Sequence, residues 1–246
     1  MTQRRSSRRR RPEERRAEEP SVARELRLDF GRRLRRWFRA TGRDLPWRRT
    51  RDAYRILVSE LMLQQTQVSR VVPKYGEFLD RFPTLAHVAR ANVGQVCDAW
   101  EGLGYYARAR NLHRLAREVT EAGRRPRATL PDDPERLRTL PGVGRYTAGA
   151  VASFAYERRA ELVDTNVARV IRRVFAPDVD PRSTRGQRRI WAIARELLPR
   201  SGSACWTHNQ ALMELGALVC TARVARCESC PVRAVCATAR SRRAVR

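Results

Sequence analysis

Apolar residues recur at helical spacing along most of the chain. Val22, Leu26, Phe30, Leu34, Trp37 and Phe38 fall on one stripe and predict a helix that stops near Thr41-Gly42. After a loop containing Leu45-Pro46-Trp47-Arg48, a second helix is predicted from about Ala53. Its Ile56, Leu57, Leu61 and Leu63 set Glu60 among apolar neighbours, where a carboxyl group titrates above its usual range. Helical patterns continue over Lys74–Arg81, Val93–Trp100, Ala107–Ala122 and Pro134–Thr139, and resume at Thr165–Ala176, Gln187–Leu198 and Thr207–Val219. Nothing alternates with strand period over a useful length, and no unit repeats along the chain. The predicted fold class is all-α.

The pattern is interrupted once in a way that bears on function. Leu140-Pro141-Gly142-Val143-Gly144 packs a proline and two glycines into five residues, then runs into the small-residue stretch Arg145 to Val151. This is a tight hairpin feeding a helix start, where free N–H groups and the positive end of the helix dipole suit a phosphate. Asp164 stands where the next helix begins, in the position of a cap. Taken alone, the hairpin is as compatible with a structural αα-turn as with DNA binding.

Charge shifts that balance. The 246 residues carry 52 Lys and Arg against 26 Asp and Glu, a formal charge of +26. Residues 1–20 hold eight arginines and four glutamates and lack apolar anchors, which predicts a disordered Arg-rich tail; the other residues still carry +22. A polyanionic partner follows. No apolar run approaches the roughly 20 residues that span a bilayer, so no membrane partner is expected and the cytoplasm, with reduced thiols, is the expected location.

Cys220, Cys227, Cys230 and Cys236 follow the spacing C-x6-C-x2-C-x5-C. Four thiols in a short polar loop of a chain with reduced thiols are metal ligands. Spacing alone admits a Cys₄ zinc site or an iron–sulfur cluster. Cys97 and Cys205 belong to no such pattern and read as packed core residues.

LPWR (Leu45–Arg48), SELMLQQTQV (Ser59–Val68), WEGLGYYARARNLH (Trp100–His113), LPGVGRYTAGA (Leu140–Ala150), VDTNVARV (Val163–Val170) and NQALMELGALVC (Asn209–Cys220), together with the four-cysteine loop, resemble the A/G-mismatch adenine DNA glycosylases of the helix-hairpin-helix superfamily. The likeness covers nearly all of residues 25–238. It implies a six-helix lobe at 52–160 and a second lobe from 21–51 and 161–240 that carries a 4Fe-4S cluster on the four cysteines. Double-stranded DNA with a mismatch or an oxidised base would bind a monomer in the cleft between them, with the protein on the nucleoid. Arg223 and Arg226 in the cysteine loop would meet phosphates, or alternatively form a solvated face.

The chemistry implied is hydrolysis of the N-glycosidic bond of adenine opposite guanine or 8-oxoguanine. The target nucleotide must leave the stack, and the resemblance implies Gln65 and Tyr105 as the side chains that fill or prop the gap. It implies Glu60 as the proton donor to the departing base and Asp164 as the group that stabilises the sugar cation or bonds to it transiently. Tyr146 and Asn166 would hydrogen-bond the acids or the attacking water. Trp47 and Arg48 would line the base pocket, and Gly142, Val143 and Gly144 would offer backbone N–H groups to a phosphate.

The chain departs from the family where Thr165 replaces a common glycine, and with ten residues after Cys236 the Nudix-like domain by which many members read 8-oxoguanine is not expected. A thymine glycosylase acting on T:G mismatches shares the expected fold and the hairpin-helix tyrosine, while the QQTQ stretch favours adenine. A non-catalytic iron–sulfur DNA-binding protein would share the charge, hairpin and cysteines but has no need of Glu60 and Asp164 together. Lys74 is the only lysine and lies in no motif linked to the pocket, so strand cleavage through a Schiff base is not expected.

Overall fold

Phe30, Leu34 and Phe38 are buried along one face of the first helix, as the stripe requires, and Val22 is buried just before it. That helix, α1 (Arg24–Thr41), opens a computed structural model that describes residues 22–121, 124 and 127–244. The expected disordered tail at 1–20 lies outside the described residues, as does Ala122 at the expected end of a later helix. The described chain is α-helical with no named strand; Cys220 and Ala225 form one isolated bridge. None of its helices is long and apolar enough to cross a membrane.

In chain order the other helices are α2 (Ala53–Leu63), α3 (Val68–Arg81), α4 (Leu85–Arg90), α5 (Val93–Asp98), α6 (Ala107–Val119), α7 (Pro134–Arg138) and α8 (Arg145–Tyr156), followed by α9 (Thr165–Phe175), α10 (Thr184–Leu197), α11 (Gly202–Leu218) and α12 (Ala237–Ala244). Side-chain caps start many of them. Asp52 accepts from Arg55 N–H, Ser183 from Gly186 N–H and Ser201 from Ala204 N–H, each satisfying an N–H that the helix cannot use itself. Asn92 and Gln95 form a reciprocal capping box at α5.

Several boundaries differ from those expected. Helix α3 begins at Val68 rather than Lys74 and carries Pro73 inside it, at the cost of the bond the missing N–H would have made. The stretch expected to end at Trp100 stops at Asp98, and Trp100 is fully buried in the turn beyond. Helices α10 and α11 begin at their serine caps, earlier than the apolar spacing indicated. Helices α4 and α12 were not expected at all.

Two packing groups result. Helices α2, α3 and α8 pack together, with α7 on α8, and α6 holds α4 and α5. Helix α11 packs on both α1 and α9, so the two ends of the described chain share a core. Contact between α8 and α11 joins the groups, and there the hairpin helix meets the segment leading to the cysteines.

Candidate active site and cysteine cavity

A cavity of about 790 Å³ lies where the groups meet. Glu60, Tyr146, Asp164, Asn166, Gln65, Trp47, Arg48, Gly142 and Gly144 all line it. Helix α2 supplies Glu60 from a face that is apolar nearly all round, which leaves the carboxyl only 3% exposed. Burial raises its pKa to about 7; the Tyr146 hydroxyl, which donates to Glu60 Oε2 at 2.7 Å, and the Arg48 charge oppose the rise, and the Asp164 charge adds to it. The Tyr146 hydroxyl is itself pushed well up by burial and by the same two carboxylates, so it stays a proton-bearing donor.

Asp164 is the N-cap of α9. Its Oδ1 accepts from Val167 N–H at 2.6 Å and its Oδ2 from Asn166 Nδ2 at 2.9 Å. Sterics fix this corner from two sides. A Cβ on Gly149 of α8 would lie 2.2 Å from the Glu161 carbonyl oxygen, and one on Gly216 of α11 would lie 2.7 Å from Asn166 Cβ. Only glycine lets both helices close on the segment that presents Asp164. Arg169 then donates to Asn166 Oδ1 at 2.7 Å, to Gly216 O at 2.7 Å and to Cys220 O at 2.8 Å. A continuous chain of hydrogen bonds thus runs from Asp164 to the backbone of the first cysteine.

Trp47 is buried edge-on against Tyr75 and shows its other side to the cavity. The Arg48 side chain, 9% exposed, pairs with Glu214 at 2.9 Å and donates to Gln210 Oε1 and Arg43 O, each at 2.8 Å. Glu214 also accepts from the Arg43 backbone and side chain. Burial pushes its carboxyl up, but the two guanidinium groups outweigh burial and hold it at about 2. Arg43, Gln210, Met213 and Glu214 were missed as cavity residues, although the NQALMEL stretch contains three of them and their shared face on α11 was legible.

Of the three hairpin N–H groups expected to face a phosphate, two have no acceptor among the described residues. Gly142 has φ of +78°, which glycine adopts freely. Val143 is a correction: it is buried, and its N–H is spent within the turn on Leu140 O at 3.1 Å, so it has none to offer a phosphate. Among the described residues no acceptor takes the N–H of Gly142 or Gly144, and the first helical bond, Ala148 N–H to Gly144 O, leaves the start of α8 open. Tyr105 lies outside the cavity lining, 60% exposed. Gln65 is exposed at the rim.

The four cysteines line a second cavity, of about 310 Å³, with Arg173, Arg223, Arg226 and Arg233 around it. Arg173 ties the loop down through Thr221 O at 2.8 Å and reaches Cys220 Sγ at 3.4 Å. Among the described residues no three His, Cys, Asp or Glu side chains are gathered around a point that would hold one ion. Four thiols lining one cavity ringed by arginines are a donor set that fits a thiolate-held metal group. Cys205 is buried and donates to Pro199 O, and Cys97 packs against the core.

The sequence and the fold both have relatives among known proteins. The chain is 44% identical over 211 residues to the human adenine DNA glycosylase, an alignment that takes in 81% of this chain and 37% of the relative. To the adenine DNA glycosylase of Mycolicibacterium smegmatis it is 46% identical over 198 residues, 80% of this chain and 65% of the relative. It therefore spans from about a third to about two thirds of these curated relatives. A thermostable thymine-DNA glycosylase superposes with a TM-score of 0.79 at 28% identity, covering 88% of this chain and 98% of that one. Endonuclease III in a non-covalent DNA complex superposes with a TM-score of 0.71 at 22% identity, covering 89% and 97%. Residues 58–196, more than half of the chain, match the model of the HhH-GPD superfamily base excision DNA repair proteins, and the chain belongs to that superfamily.

Proposed function

We propose that this chain is a monofunctional DNA glycosylase that hydrolyses the N-glycosidic bond of adenine mispaired with guanine or 8-oxoguanine. The observation that carries the reading is Glu60: a buried carboxyl held near pH 7, hydrogen-bonded by Tyr146, in one cavity with Asp164 and beside an open helix N-terminus. A general acid poised near working pH both holds its proton and releases it readily. Glu60 passes its proton to the departing adenine as the C1′–N bond breaks. Asp164, kept in place by Val167 N–H and Asn166, faces the positive sugar that remains. Water then adds at C1′ and gives its proton to a carboxylate, leaving an abasic site and free base.

DNA is the partner, reached through Gly142, Gly144 and the basic surface, with Gln65 and Tyr105 as the side chains that enter the vacated stack and Trp47 and Arg48 beside the extruded base. We assign residues 52–160 to one lobe and 21–51 with 161–240 to the other, working as a monomer in the cytoplasm on the nucleoid. Cys220, Cys227, Cys230 and Cys236 would hold one 4Fe-4S cluster. Holding it would fix the loop that carries Arg223 and Arg226.

The test is incubation of the purified protein with duplexes holding A opposite 8-oxoguanine, A opposite G and T opposite G, scoring free base. Adenine release is expected. The structural likeness to a thymine-DNA glycosylase supports a second reading, which thymine release from T:G would establish in its place. No base released from any of the three would end the glycosylase reading.

A further inference from the structure

Arg108 of α6 is only 6% exposed, and among the described residues no carboxylate pairs with it. Its guanidinium instead binds two loops. Nη1 donates to Leu61 O at 2.8 Å, Met62 O at 2.7 Å and Gln64 O at 2.6 Å, the open carbonyl end of α2 and the residue just beyond it. Nη2 donates to Leu103 O at 3.0 Å, Gly104 O at 2.8 Å and Thr66 Oγ1 at 3.1 Å, and Nε to Tyr105 O at 3.3 Å. Five donors in a rigid fork make this possible; an ammonium on a flexible stem cannot span both loops.

Each loop holds one non-glycine residue in the left-handed region, Gln65 at φ +56° and Tyr105 at φ +47°, and both side chains are exposed. Such backbone conformations persist only where surrounding contacts over-determine them, and they gather at functional sites. Here Arg108 makes most of the side-chain hydrogen bonds that hold the two loops, and Thr66 Oγ1 adds longer ones, at 3.3 Å, to Gln64 O and Leu103 O. The Arg108 guanidinium also lies 5.5 Å from the Tyr105 ring centroid, propping the ring, and 5.7 Å from that of buried Trp100, which backs it.

We propose that Arg108 is the positioning residue for strand entry: one guanidinium holds the Gln65 and Tyr105 loops at a fixed separation, so that both side chains enter the duplex together. This rests on the reading of Gln65 and Tyr105 as stack-entering residues. Burying a cation without a counter-charge is costly, and the cost is understandable if what it secures is the spacing of two side chains on separate loops. Misplacing such groups by an ångström lowers a rate by about a hundredfold.

The experiment compares the full chain with Arg108→Lys, with Gln65→Ala/Tyr105→Ala, and with the triple variant. Three readouts are taken: fluorescence of a 2-aminopurine placed next to a mispaired adenine, single-turnover adenine release, and the pH profile of that release. Arg108→Lys is expected to lose most of the 2-aminopurine signal and about a hundredfold in rate, with the pH profile unmoved and duplex affinity retained. In the Gln65→Ala/Tyr105→Ala background the same substitution should cost almost nothing more, because its route of action is already gone.

A full signal and rate in folded Arg108→Lys would overturn the proposal, as would losses that simply add in the triple variant, which indicate general destabilisation. Should Arg108→Lys not fold, Thr66→Val removes one acceptor of the clamp together with the hydroxyl's own 3.3 Å bonds to Gln64 O and Leu103 O, and is expected to lower the signal and the rate about fivefold; no change there would also overturn it. If the unmodified protein releases no base, the glycosylase reading falls separately, and the fluorescence comparison still decides the role of Arg108.

Discussion

Replacing Glu60 by glutamine should abolish base release and at the same time make the protein more stable, but only above a definite pH. The Glu60 pKa is raised in the folded state, from 4.5 to about 7, chiefly by burial. The folded protein therefore binds this proton more tightly than the unfolded chain, and stability must fall as pH rises from 4.5 through about 7. At about 1.4 kcal/mol per pH unit, the interval amounts to roughly 3 kcal/mol lost by pH 8. Glutamine cannot ionise and still offers an oxygen to the Tyr146 hydroxyl. Glu60→Gln should thus match the unmodified protein near pH 4.5 and exceed it by about 3 kcal/mol at pH 8, a gain of roughly 6–12 °C in Tm. Thermal unfolding followed by circular dichroism across pH 4.5–8.5 reads the difference directly. The log–log salt slope of duplex binding, near −5 for about six phosphate contacts, should not change. A stability difference that is the same at pH 5 and pH 8, or a variant that is weaker at pH 8, would refute the burial argument. Retained base release would refute the role of Glu60 as proton donor.

Protein purified without harsh oxidation should be brown and contain iron and sulfide in equal amounts; stoichiometric zinc without iron would defeat the cluster assignment. Glu214→Ala strands Arg43 and Arg48 without a counter-charge and should cost about 3–5 kcal/mol in chemical denaturation, with a loss under about 1 kcal/mol counting against the buried network. Gly216→Ala places a methyl group against Asn166, so base release should fall at least tenfold while duplex affinity stays; an unchanged rate would show that this corner is not tightly fixed. Borohydride added during turnover should trap little protein on DNA, whereas Tyr146→Lys puts an amine beside Glu60 and should create trapping; efficient trapping by the unmodified protein, lost in Lys74→Ala, would overturn the monofunctional reading.

How much of this was legible in the sequence follows from the range of each signal. Helix α2 appears where apolar spacing puts it and α9 where spacing and the Asp164 cap put it, because both signals are local. Helix α4 is only six residues long, too short for a period to show. Pro73 reads as a breaker, yet the face of α3 formed by Val71, Tyr75, Phe78 and Leu79 packs well enough to carry it. In the site, Glu60, Tyr146 and Asp164 could be named from their motifs, but the 2.7 Å bond between the first two joins residues 86 apart, and nothing in either segment encodes it. Arg108 is the clearest case of what stays hidden. It sits in a run of arginines on an exposed-looking helix, and only folding turns it inward onto carbonyls more than 40 residues away.

The packing of α1 on α11 governs the order in which the protein can be made. Phe30, Leu34 and Phe38 leave the ribosome early, but the face that covers them ends at Leu218. At roughly 5–20 residues per second, that apolar stripe waits on the order of ten to forty seconds for its partner. Helices α2 to α8 are contiguous and can settle in the meantime, whereas α1 stays exposed to chaperones and to other nascent chains. Loss of α11 and loss of α1 should consequently look alike in a cell: an interior helical body that persists, with the cysteine segment unable to close beside it.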